Sequence, residues 1–516
     1  MATGNYSDAG LAEKQLLELE MLLQGKHSPP GHDQDEENSA TFANMKSFYT
    51  YLWKPKADHG PLKRQTPPKR ALRRTAYLDG LRGFAALLVY SLHHQNWARL
   101  DWVERGIMEN SWGWERHYYF ATLPGIRIFF SGGHTAVAVF FIISGYVLSV
   151  KPLSLIQSGP SQAGSLARNL GSALFRRWVR LYIPVLVVTF IWMTCWHVFG
   201  IQSSHPDALT PEKTYKDELW RWYCDFKNFS FIFSENTNHY NDHTWSIPME
   251  FRGSVVVWTT LLALAECNTT TRLFFEAGLV WYFLYIVDGW YCALFMMGVL
   301  LCDLDLLALS DQSPKMLQRK FGQWFYWLLF VIALYLGGVP SISNEITNLK
   351  TQPGWYYLAF LKPQAMWDFR WFFRFWAATL FMISIPRLPV KKFFETAFCQ
   401  YLGKISFALY LVHGPILWTI GDRVYAATGR PQLSSMTMAP NWINLFQFPG
   451  CGPKFLEMNY LAAHLIMLPL TLGVAELVTN LIDEPSVKFA QWAFQTATRR
   501  RTSATNEWKP ASQRID

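Results

Sequence analysis

An arginine and a histidine in the first long apolar segment have a spacing that could support chemistry on one face of a helix. Arg82 and His93 are eleven residues apart. In a helix this leaves them about 20° apart around the axis and about 16 Å apart along it. A guanidinium binds phosphate through two parallel hydrogen bonds, and a histidine shielded from water stays neutral and can accept a proton. The pair therefore suits a long ligand with an anionic head at Arg82 and a reactive group at His93.

The same two residues also have an ordinary structural interpretation. Arg82 could be a positive anchor at the cytoplasmic edge of a membrane, and His93 could pack between helices with a hydrogen bond to a neighbour. His94 lies about 100° further around the helix and faces another direction. The spacing alone leaves both interpretations open.

The composition places these residues in a membrane. Half of the 516 residues are hydrophobic and 16% are charged, against about 25% charged in soluble domains. A spanning helix needs about 20 mainly apolar residues. We predict an all-α, polytopic transmembrane bundle of about ten spans with both termini in the cytoplasm. The spans are expected near 83–100, 134–150, 181–201, 245–265, 273–288, 289–307, 321–338, 369–385, 399–420 and 460–482.

The pattern of charge divides the chain into three regions. Residues 1–75 are predicted to be a flexible cytoplasmic region with a short amphipathic helix at Leu11–Gln24. Residues 76–489 form the predicted transmembrane domain, and residues 490–516 form a basic cytoplasmic tail. The basic residues flank apolar segments, as orientation in a membrane requires. The net charge of +9 therefore gives no reason to expect a nucleic acid partner.

Two further features concern the compartment and metal binding. Asn228-Phe-Ser is a glycosylation sequon in a connection predicted to lie on the far side of the membrane. The seven cysteines show no CxxC or other zinc spacing, so we expect no metal site. We expect an integral, multi-pass protein in the lipid bilayer of an endomembrane or the plasma membrane. The sequence indicates no oligomeric state.

Six segments resemble, in order, the motifs of the acyltransferase-3 family of integral membrane O-acyltransferases. Each segment is short, but together they extend over residues 77–489, so the resemblance covers most of the chain. They are Leu78-Asp-Gly-Leu-Arg82-Gly closed by His93, Phe140-Phe-Ile-Ile-Ser144-Gly-Tyr-Val-Leu, Phe175-Arg-Arg-Trp-Val-Arg-Leu-Tyr-Ile-Pro184, Thr244-Trp-Ser-Ile-Pro-Met-Glu250-Phe, Gly403-Lys-Ile-Ser-Phe-Ala-Leu-Tyr410-Leu-Val-His413-Gly-Pro415, and Glu484-Pro485.

The resemblance implies an acyl-CoA-dependent O-acyltransferase and suggests roles for individual residues. Arg82 and His93 match the family's paired arginine and histidine, and Glu250 and His413 match further polar residues of the family. These four are the expected catalytic residues. Arg82 and a basic cluster are also expected to bind the phosphates of coenzyme A, although the cluster could equally be orientation charge. The cluster consists of Arg176, Arg177 and Arg180.

Glu250 and His413 keep alternative structural roles. Glu250 could orient a histidine, or it could form an ion pair with Arg252 or with another helix. His413 could line the cavity, or it could satisfy the backbone carbonyl that Pro415 leaves without a partner.

The expected reaction is direct transfer, because the thioester donor is already activated. Neutral His93 takes the proton of the acceptor hydroxyl as that oxygen attacks the thioester carbonyl, and no permanently bound cofactor is needed. An acyl-histidine intermediate is the other route. The polar N-terminal region and the motif spellings resemble the fungal branch of the family. This implies transfer of acetyl from acetyl-CoA to a terpenoid or polyketide of secondary metabolism, or to a glycan.

The competing class is a proton-coupled multi-pass transporter without acyl transfer. About ten spans with buried arginine, histidine and glutamate would also fit such a carrier. Paired inverted halves would favour a transporter, and the sequence shows no such internal symmetry. The ordered set of motifs favours the enzyme.

Overall fold

The computed structural model describes residues 73–99, 102–201, 203, 210–310 and 321–507. The predicted amphipathic helix at Leu11–Gln24 lies outside the described residues. Within them the chain is helical and contains no β-strand. The helices of eight or more residues are α1 (Ala76–Trp97), α2 (Trp102–Glu109), α3 (Gly133–Gln157), α4 (Ala163–Phe199), α5 (Tyr215–Ser230), α6 (Ser246–Ala263), α7 (Thr269–Trp281), α8 (Trp290–Leu309), α9 (Gln323–Gly337), α10 (Phe369–Ser384), α11 (Ala397–Ile416), α12 (Met458–Val478) and α13 (Glu484–Glu507).

Short helical turns join these elements. A 3-10 turn at Asp242–Trp245 precedes α6. Helices α7, α11 and α12 each continue into a π-helical turn, and these turns are Tyr282–Ile286, Leu417–Gly421 and Thr479–Asp483. The remaining short α-helices are Ile128–Ser131, Ile346–Thr351, Lys391–Phe394, Asp422–Ala427 and Leu433–Met438.

In the described part of the chain, four helical stretches are long and apolar enough to cross a membrane. They are Gly133–Gln157, Pro160–Phe199, Trp290–Leu309 and Met458–Thr498. The shorter α9 is also apolar. Every one of the ten predicted segments coincides with helix, and the all-helical fold class is confirmed. The number of ten spans and the side on which the termini lie stay predictions.

The apolar core is divided into two main clusters, and α1 contributes to both. The first lies around α3, α8 and α10 and includes the fully buried Phe295. The second lies around α4, α11 and α12 and includes the fully buried Met467. Helix α1 provides Leu81 to the first cluster and Tyr90 to the second. Its two faces therefore pack against different groups of helices.

Helices α1 and α11 cross at a pair of glycines. A Cβ atom added at Gly83 would lie 2.1 Å from the backbone nitrogen of Gly403, and one added at Gly403 would lie 2.4 Å from the carbonyl oxygen of Asp79. Only glycine permits such an approach between two backbones. The crossing fixes α1 against α11 and so sets the relative positions of the polar side chains that both helices carry.

Helix α3 is buried on almost every side except for one stripe. Phe140, Ser144, Leu148 and Lys151 are half-buried, whereas most of the positions between them are buried. Their spacing of three or four residues places them on one face of the helix. This face extends over the middle of α3 and passes Glu250 of α6, because Ser144 Oγ lies 2.6 Å from its carboxylate.

Candidate active site

Three histidines from distant parts of the chain meet in what we call the histidine cluster. His93 lies in α1, His243 in the turn before α6, and His413 in α11. The ring centroids of His93 and His243 are 3.7 Å apart, those of His243 and His413 are 4.8 Å apart, and those of His93 and His413 are 5.1 Å apart. The structure thus unites two predicted residues with a third, His243, which the sequence analysis missed.

Asn241 attaches the turn that carries His243 to α11. Pro415 has no N–H group, so the carbonyl of Leu411 loses its helical hydrogen bond. The side-chain amide of Asn241 donates to this carbonyl at 2.8 Å. His413 was one predicted partner for this carbonyl, but Asn241 takes that role.

His413 presents a free acceptor nitrogen inside the cluster. Its Nδ1 atom lies 3.1 Å from the carbonyl oxygen of Leu409, and a carbonyl can only accept, so this nitrogen carries the hydrogen. The Nε2 atom then bears a lone pair. It is buried and has no hydrogen-bond partner among the described residues. The Nε2 atom of His413 is therefore available to accept a proton or to bind a cation.

The ring of His243 fits into the histidine cluster because the residue of α11 that faces it is a glycine, Gly414. A Cβ atom added at Gly414 would lie 2.7 Å from His243 Nδ1, so a larger residue would displace the imidazole. The hydroxyl of Tyr410 donates to the carbonyl oxygen of His243 and lies 2.7 Å from Ser246 Oγ. The position of His243 immediately before the Thr244-Trp-Ser segment was the signal that could have identified it.

The histidine cluster could also hold a metal ion. One nitrogen of each imidazole lies within 4.8 Å of the other two, and three histidines are a common ligand set for catalytic zinc. The cysteine spacing gave no reason to expect a metal site, and the absence of a metal stays a prediction.

His94 faces away from the histidine cluster and joins a separate network. Its Nδ1 atom lies 2.9 Å from the hydroxyl of Tyr425, which lies 3.2 Å from His464 Nδ1. The other ring nitrogen of His464 lies 3.3 Å from the hydroxyl of Tyr460. The two neighbouring histidines of α1 thus serve different sites, as their angular separation around the helix predicts.

The predicted basic residues meet at the opposite end of α1. The charge of Arg180 interacts with those of Arg82, Arg176 and Arg177 and with that of Asp483. Arg82 donates to the carbonyl oxygen of Gly403 at 3.1 Å and lies 3.6 Å from Asp79. We call this group the arginine cluster, and it consists of Arg82, Arg176, Arg177 and Arg180.

Glu250 joins three helices at the edge of the arginine cluster. Its carboxylate accepts hydrogen bonds from Arg177 of α4 at 2.5 Å and from Ser144 of α3 at 2.6 Å. Arg177 also donates to Ser254, one turn further along α6, at 2.9 Å. The ion-pair partner of Glu250 is therefore Arg177, whereas Arg252 donates to a backbone carbonyl. Glu250 therefore contacts Arg177 and Ser144, and no histidine among the described residues forms a hydrogen bond with its carboxylate.

The charge balance of the arginine cluster favours an anionic ligand. Four arginines lie beside three carboxylates, those of Asp79, Glu250 and Asp483. One positive charge remains in excess, and guanidinium groups are well matched to phosphate. An anion here would be separated from the histidine cluster by about 16 Å along α1.

Comparison with known proteins decides the family. The acyltransferase-3 model, described as an acyltransferase domain, matches residues 75–474. The chain belongs to the acyltransferase-3 family. This confirms the resemblance found in the six sequence motifs. Four long apolar helices together with this family assignment make it a membrane protein.

Three fungal acyltransferases resemble the chain over most of their length. O-acetyltransferase PaAT-1 of Phomopsis amygdali is 29% identical over 469 residues, covering 86% of this chain and 89% of that protein. Acyltransferase R4 of a Phoma species is 23% identical and covers 71% of this chain and 86% of its own. Acyltransferase clz18 of Cochliobolus lunatus is 22% identical and covers 70% of this chain and 88% of its own. No solved structure is significantly similar to the chain.

Family membership makes O-acyl transfer the chemistry to compare with the geometry. The histidine cluster provides an acceptor for a proton, and the arginine cluster provides positive charge at a distance. The residues expected to act together are thus divided between two ends, with His93 and His413 at one and Arg82 and Glu250 at the other. Their catalytic roles stay predictions.

Proposed function

We propose that the protein is a membrane O-acetyltransferase that transfers acetyl from acetyl-CoA to a hydroxyl group of a specialised metabolite of the terpenoid or polyketide type. The observation that carries the proposal is the histidine cluster, which lies at the other end of α1 from four arginines in a member of the acyltransferase-3 family. The name of the relative PaAT-1 as an O-acetyltransferase supports acetyl as the transferred group.

Acetyl-CoA approaches from the cytoplasm in this proposal. Its phosphates bind Arg82, Arg176 and Arg180, and its pantetheine arm follows α1 toward the histidine cluster. Arg177 contributes to the positive field, while its direct hydrogen bonds hold α4 against α6 through Glu250 and Ser254. The half-buried stripe of α3 provides a face along which the arm can lie.

His93 acts as the general base in the transfer step. The acceptor oxygen forms a bond to the thioester carbonyl carbon, and His93 removes the hydroxyl proton. The carbon–sulfur bond then breaks, and the proton passes from His93 to the departing thiolate of coenzyme A. His243 and His413 lie close enough to stabilise the charge that His93 carries between these two events.

Comparative mass spectrometry of cell extracts tests the proposal. Cells expressing the wild type are compared with cells expressing His93→Ala at matched protein levels. His239→Ala serves as the control, because that histidine has 57% of its side chain exposed and pairs with Asp225 away from the cluster. The expected result is an acetylated compound that the wild type and the control produce and His93→Ala does not. Identical acylated products in all three extracts would contradict the role of His93 and favour a transporter.

A further inference from the structure

Arg374 is a buried cation that has neither an ion-pair partner nor a hydrogen-bond partner among the described residues. It lies in α10 with 3% of its surface exposed. Among the described residues no carboxylate lies within ion-pair distance of it and no group forms a hydrogen bond with it, and its Nε atom is sealed from solvent. An unpaired buried charge is strongly unfavourable. The other buried arginines in the described part of the chain all have such partners: Arg99 binds Glu457, Arg127 binds three backbone carbonyls, and Arg272 binds Asp303.

The carboxylates nearest to Arg374 are engaged by other groups. Its charge interacts with those of Asp368 and Glu109. Asp368, however, binds Arg370 at 2.7 Å. Glu109 accepts a hydrogen bond from Ser341 and lies 3.8 Å from His134. Neither carboxylate is placed to form an ion pair with Arg374.

The charged side chains around Arg374 carry a net positive charge. Burial alone would raise the pKa of Glu109, but His134 and the charges of Arg127 and Arg374 lower it overall. Burial lowers the pKa of Arg127 to about 10, so it stays charged at neutral pH. Arg127, Arg370 and Arg374 face the carboxylates of Glu109 and Asp368, and the charge of Arg105 also interacts with Glu109. Positive charge is therefore in excess here, and an anion would offset it. The first turn of α3, which contains His134, adds the positive end of a helix dipole.

Aromatic rings connect Arg374 with the histidine cluster. The guanidinium lies 5.0 Å from the ring centroid of Trp371. Trp371 stacks on Trp290 with the centroids 3.6 Å apart and meets Trp245 edge to face at 6.2 Å. Trp245 follows His243 by two residues.

A second contact brings the start of α3 to the same end of α1. A Cβ atom added at Gly133 would lie 2.7 Å from Leu92, the residue before His93. The first turn of α3 also contains His134, which lies beside Glu109 and electrostatically close to Arg374. Arg374 therefore belongs to the histidine end of the bundle, opposite the arginine cluster.

We propose that Arg374 binds a carboxylate of the acceptor, so that the natural acceptor is a hydroxylated carboxylic acid with an apolar skeleton. The carboxylate pairs with the guanidinium, the skeleton contacts Trp245, Trp290 and Trp371, and the hydroxyl reaches His93. This inference rests on the proposed function, because it assigns a chemical class to the acceptor of that reaction.

The first test compares the thermal stability of Arg374→Met and Arg127→Met in the purified full-length protein without ligand. The two arginines are equally buried, at 3% exposure. Removing an unpaired buried charge is expected to raise the melting temperature of Arg374→Met by about 2 °C. Arg127→Met loses three hydrogen bonds and is expected to melt at a lower temperature. If Arg374→Met is destabilised like Arg127→Met, Arg374 has a structural partner and the proposal is overturned.

The second test measures binding with defined acids. Ursolic, podocarpic and ricinoleic acids, each a hydroxylated carboxylic acid, are compared with their methyl esters as stabilisers of the wild type and of Arg374→Met. At least one acid is expected to bind the wild type about 10- to 100-fold more tightly than its ester. Arg374→Met is expected to abolish this difference while still binding the ester. The inference is overturned if no acid binds better than its ester or if Arg374→Met keeps the preference.

A parallel measurement separates this inference from the proposed function. Stabilisation of the same protein samples by acetyl-CoA should depend on Arg82 and not on Arg374. If acetyl-CoA fails to bind, the proposed donor is wrong, whereas the comparison of acids with esters stays valid because it needs no turnover.

Discussion

At the scale of single residues, the histidine cluster has a chemical property that none of its members has alone. The centroids of the three imidazoles lie 3.7 to 5.1 Å apart, and a proton on one of them disfavours a proton on the next through charge repulsion. The cluster therefore accepts a second proton less readily than a first. His413 adds to this property because its buried Nε2 atom has a lone pair and no hydrogen-bond partner among the described residues.

Alanine substitutions should separate the three histidines by their effect on rate. We expect His93→Ala to lower the rate of acetyl transfer at least about 100-fold, because the general base is lost. His243→Ala and His413→Ala should have smaller effects, since each leaves His93 in place. The measurement is the initial rate of coenzyme A release by membranes supplied with acetyl-CoA and acceptor. A larger loss in His413→Ala than in His93→Ala would transfer the role of base to His413.

Added zinc should inhibit the enzyme through the same nitrogen atoms. A zinc ion bound to the three imidazoles would occupy the lone pairs that proton transfer needs. We expect Zn²⁺ to inhibit the wild type and to inhibit His243→Ala much less, with activity restored by a chelator. The control is Mg²⁺, which prefers oxygen ligands. A protein that loses activity on chelation and regains it with zinc would instead contain a catalytic metal.

At the scale of helices, two contacts between helices set the positions of the histidine cluster and the arginine cluster. The glycine crossing sets α1 against α11, and the pair of Glu250 and Arg177 sets α6 against α4. The first brings together two helices that carry histidines. The second joins a helix of the arginine cluster to the helix that follows His243. Substitutions at either contact should therefore alter the geometry of both the histidine cluster and the arginine cluster.

Gly83→Ala should disrupt the bundle, whereas Gly171→Ala should not. A methyl group at position 83 would lie 2.1 Å from the backbone of Gly403, which has no flexible side chain that could move away. Nothing lies within 4 Å of the position that a methyl group would occupy at Gly171 in α4. Alanine there should be neutral or stabilising by about 0.5–1 kcal/mol. The measurement is the fraction that stays monodisperse in detergent on heating, and equal behaviour of the two variants would contradict the crossing.

Breaking the pair of Glu250 and Arg177 should cost stability that a double substitution partly restores. Arg177→Ala leaves a largely buried carboxylate unpaired, and we expect a loss of about 3 kcal/mol. Arg177→Ala with Glu250→Ala removes both charges and should be more stable than either single variant. Arg176→Ala should instead weaken acetyl-CoA binding with little change in stability. A double variant that is less stable than both singles would show that the pair does not act as a unit.

The sequence predicts the helices and the separation of Arg82 from His93, but it does not predict the contacts between helices. Apolar runs located the helices, and the spacing of Arg82 and His93 predicted that they would mark opposite ends of α1. His243 was not predicted because it lies in a 3-10 turn before a helix. In such a turn no helical periodicity indicates the direction of a side chain. The pairing of Glu250 with Arg177, rather than with Arg252, depends on how α4 packs against α6 and could not be deduced from either segment alone.

At the scale of the whole molecule, the two clusters define an axis across the bundle. The proposal that acetyl-CoA arrives from the cytoplasm places the arginine cluster on that side and the histidine cluster toward the other. The sequence supplied this direction through the distribution of basic residues. The fold adds the two apolar clusters on either side of α1, an arrangement that depends on tertiary packing and that hydropathy does not indicate.

Glycosylation provides a measure of the orientation. Asn228 is exposed in the last turn of α5, and the far side of the membrane is expected to carry this turn. We expect Asn228→Gln to remove a mass shift that a glycosidase also removes from the wild type. Asn268-Thr-Thr is a second sequon, and the ten predicted spans place it on the cytoplasmic side. Asn268→Gln is therefore the control, and the Asn268 side chain caps α7 at 2.9 Å. Loss of the shift in Asn268→Gln alone would reverse the orientation.

The distribution of the three histidines along the chain has a consequence for synthesis. His93 lies in the first of the helices described here, His243 before the sixth, and His413 in the eleventh. A nascent chain that has inserted α1 to α4 already carries all the residues of the arginine cluster, yet it lacks two of the three imidazoles. Assembly of the histidine cluster must await α11, so a partly inserted or truncated chain could hold donor without its complete proton acceptor.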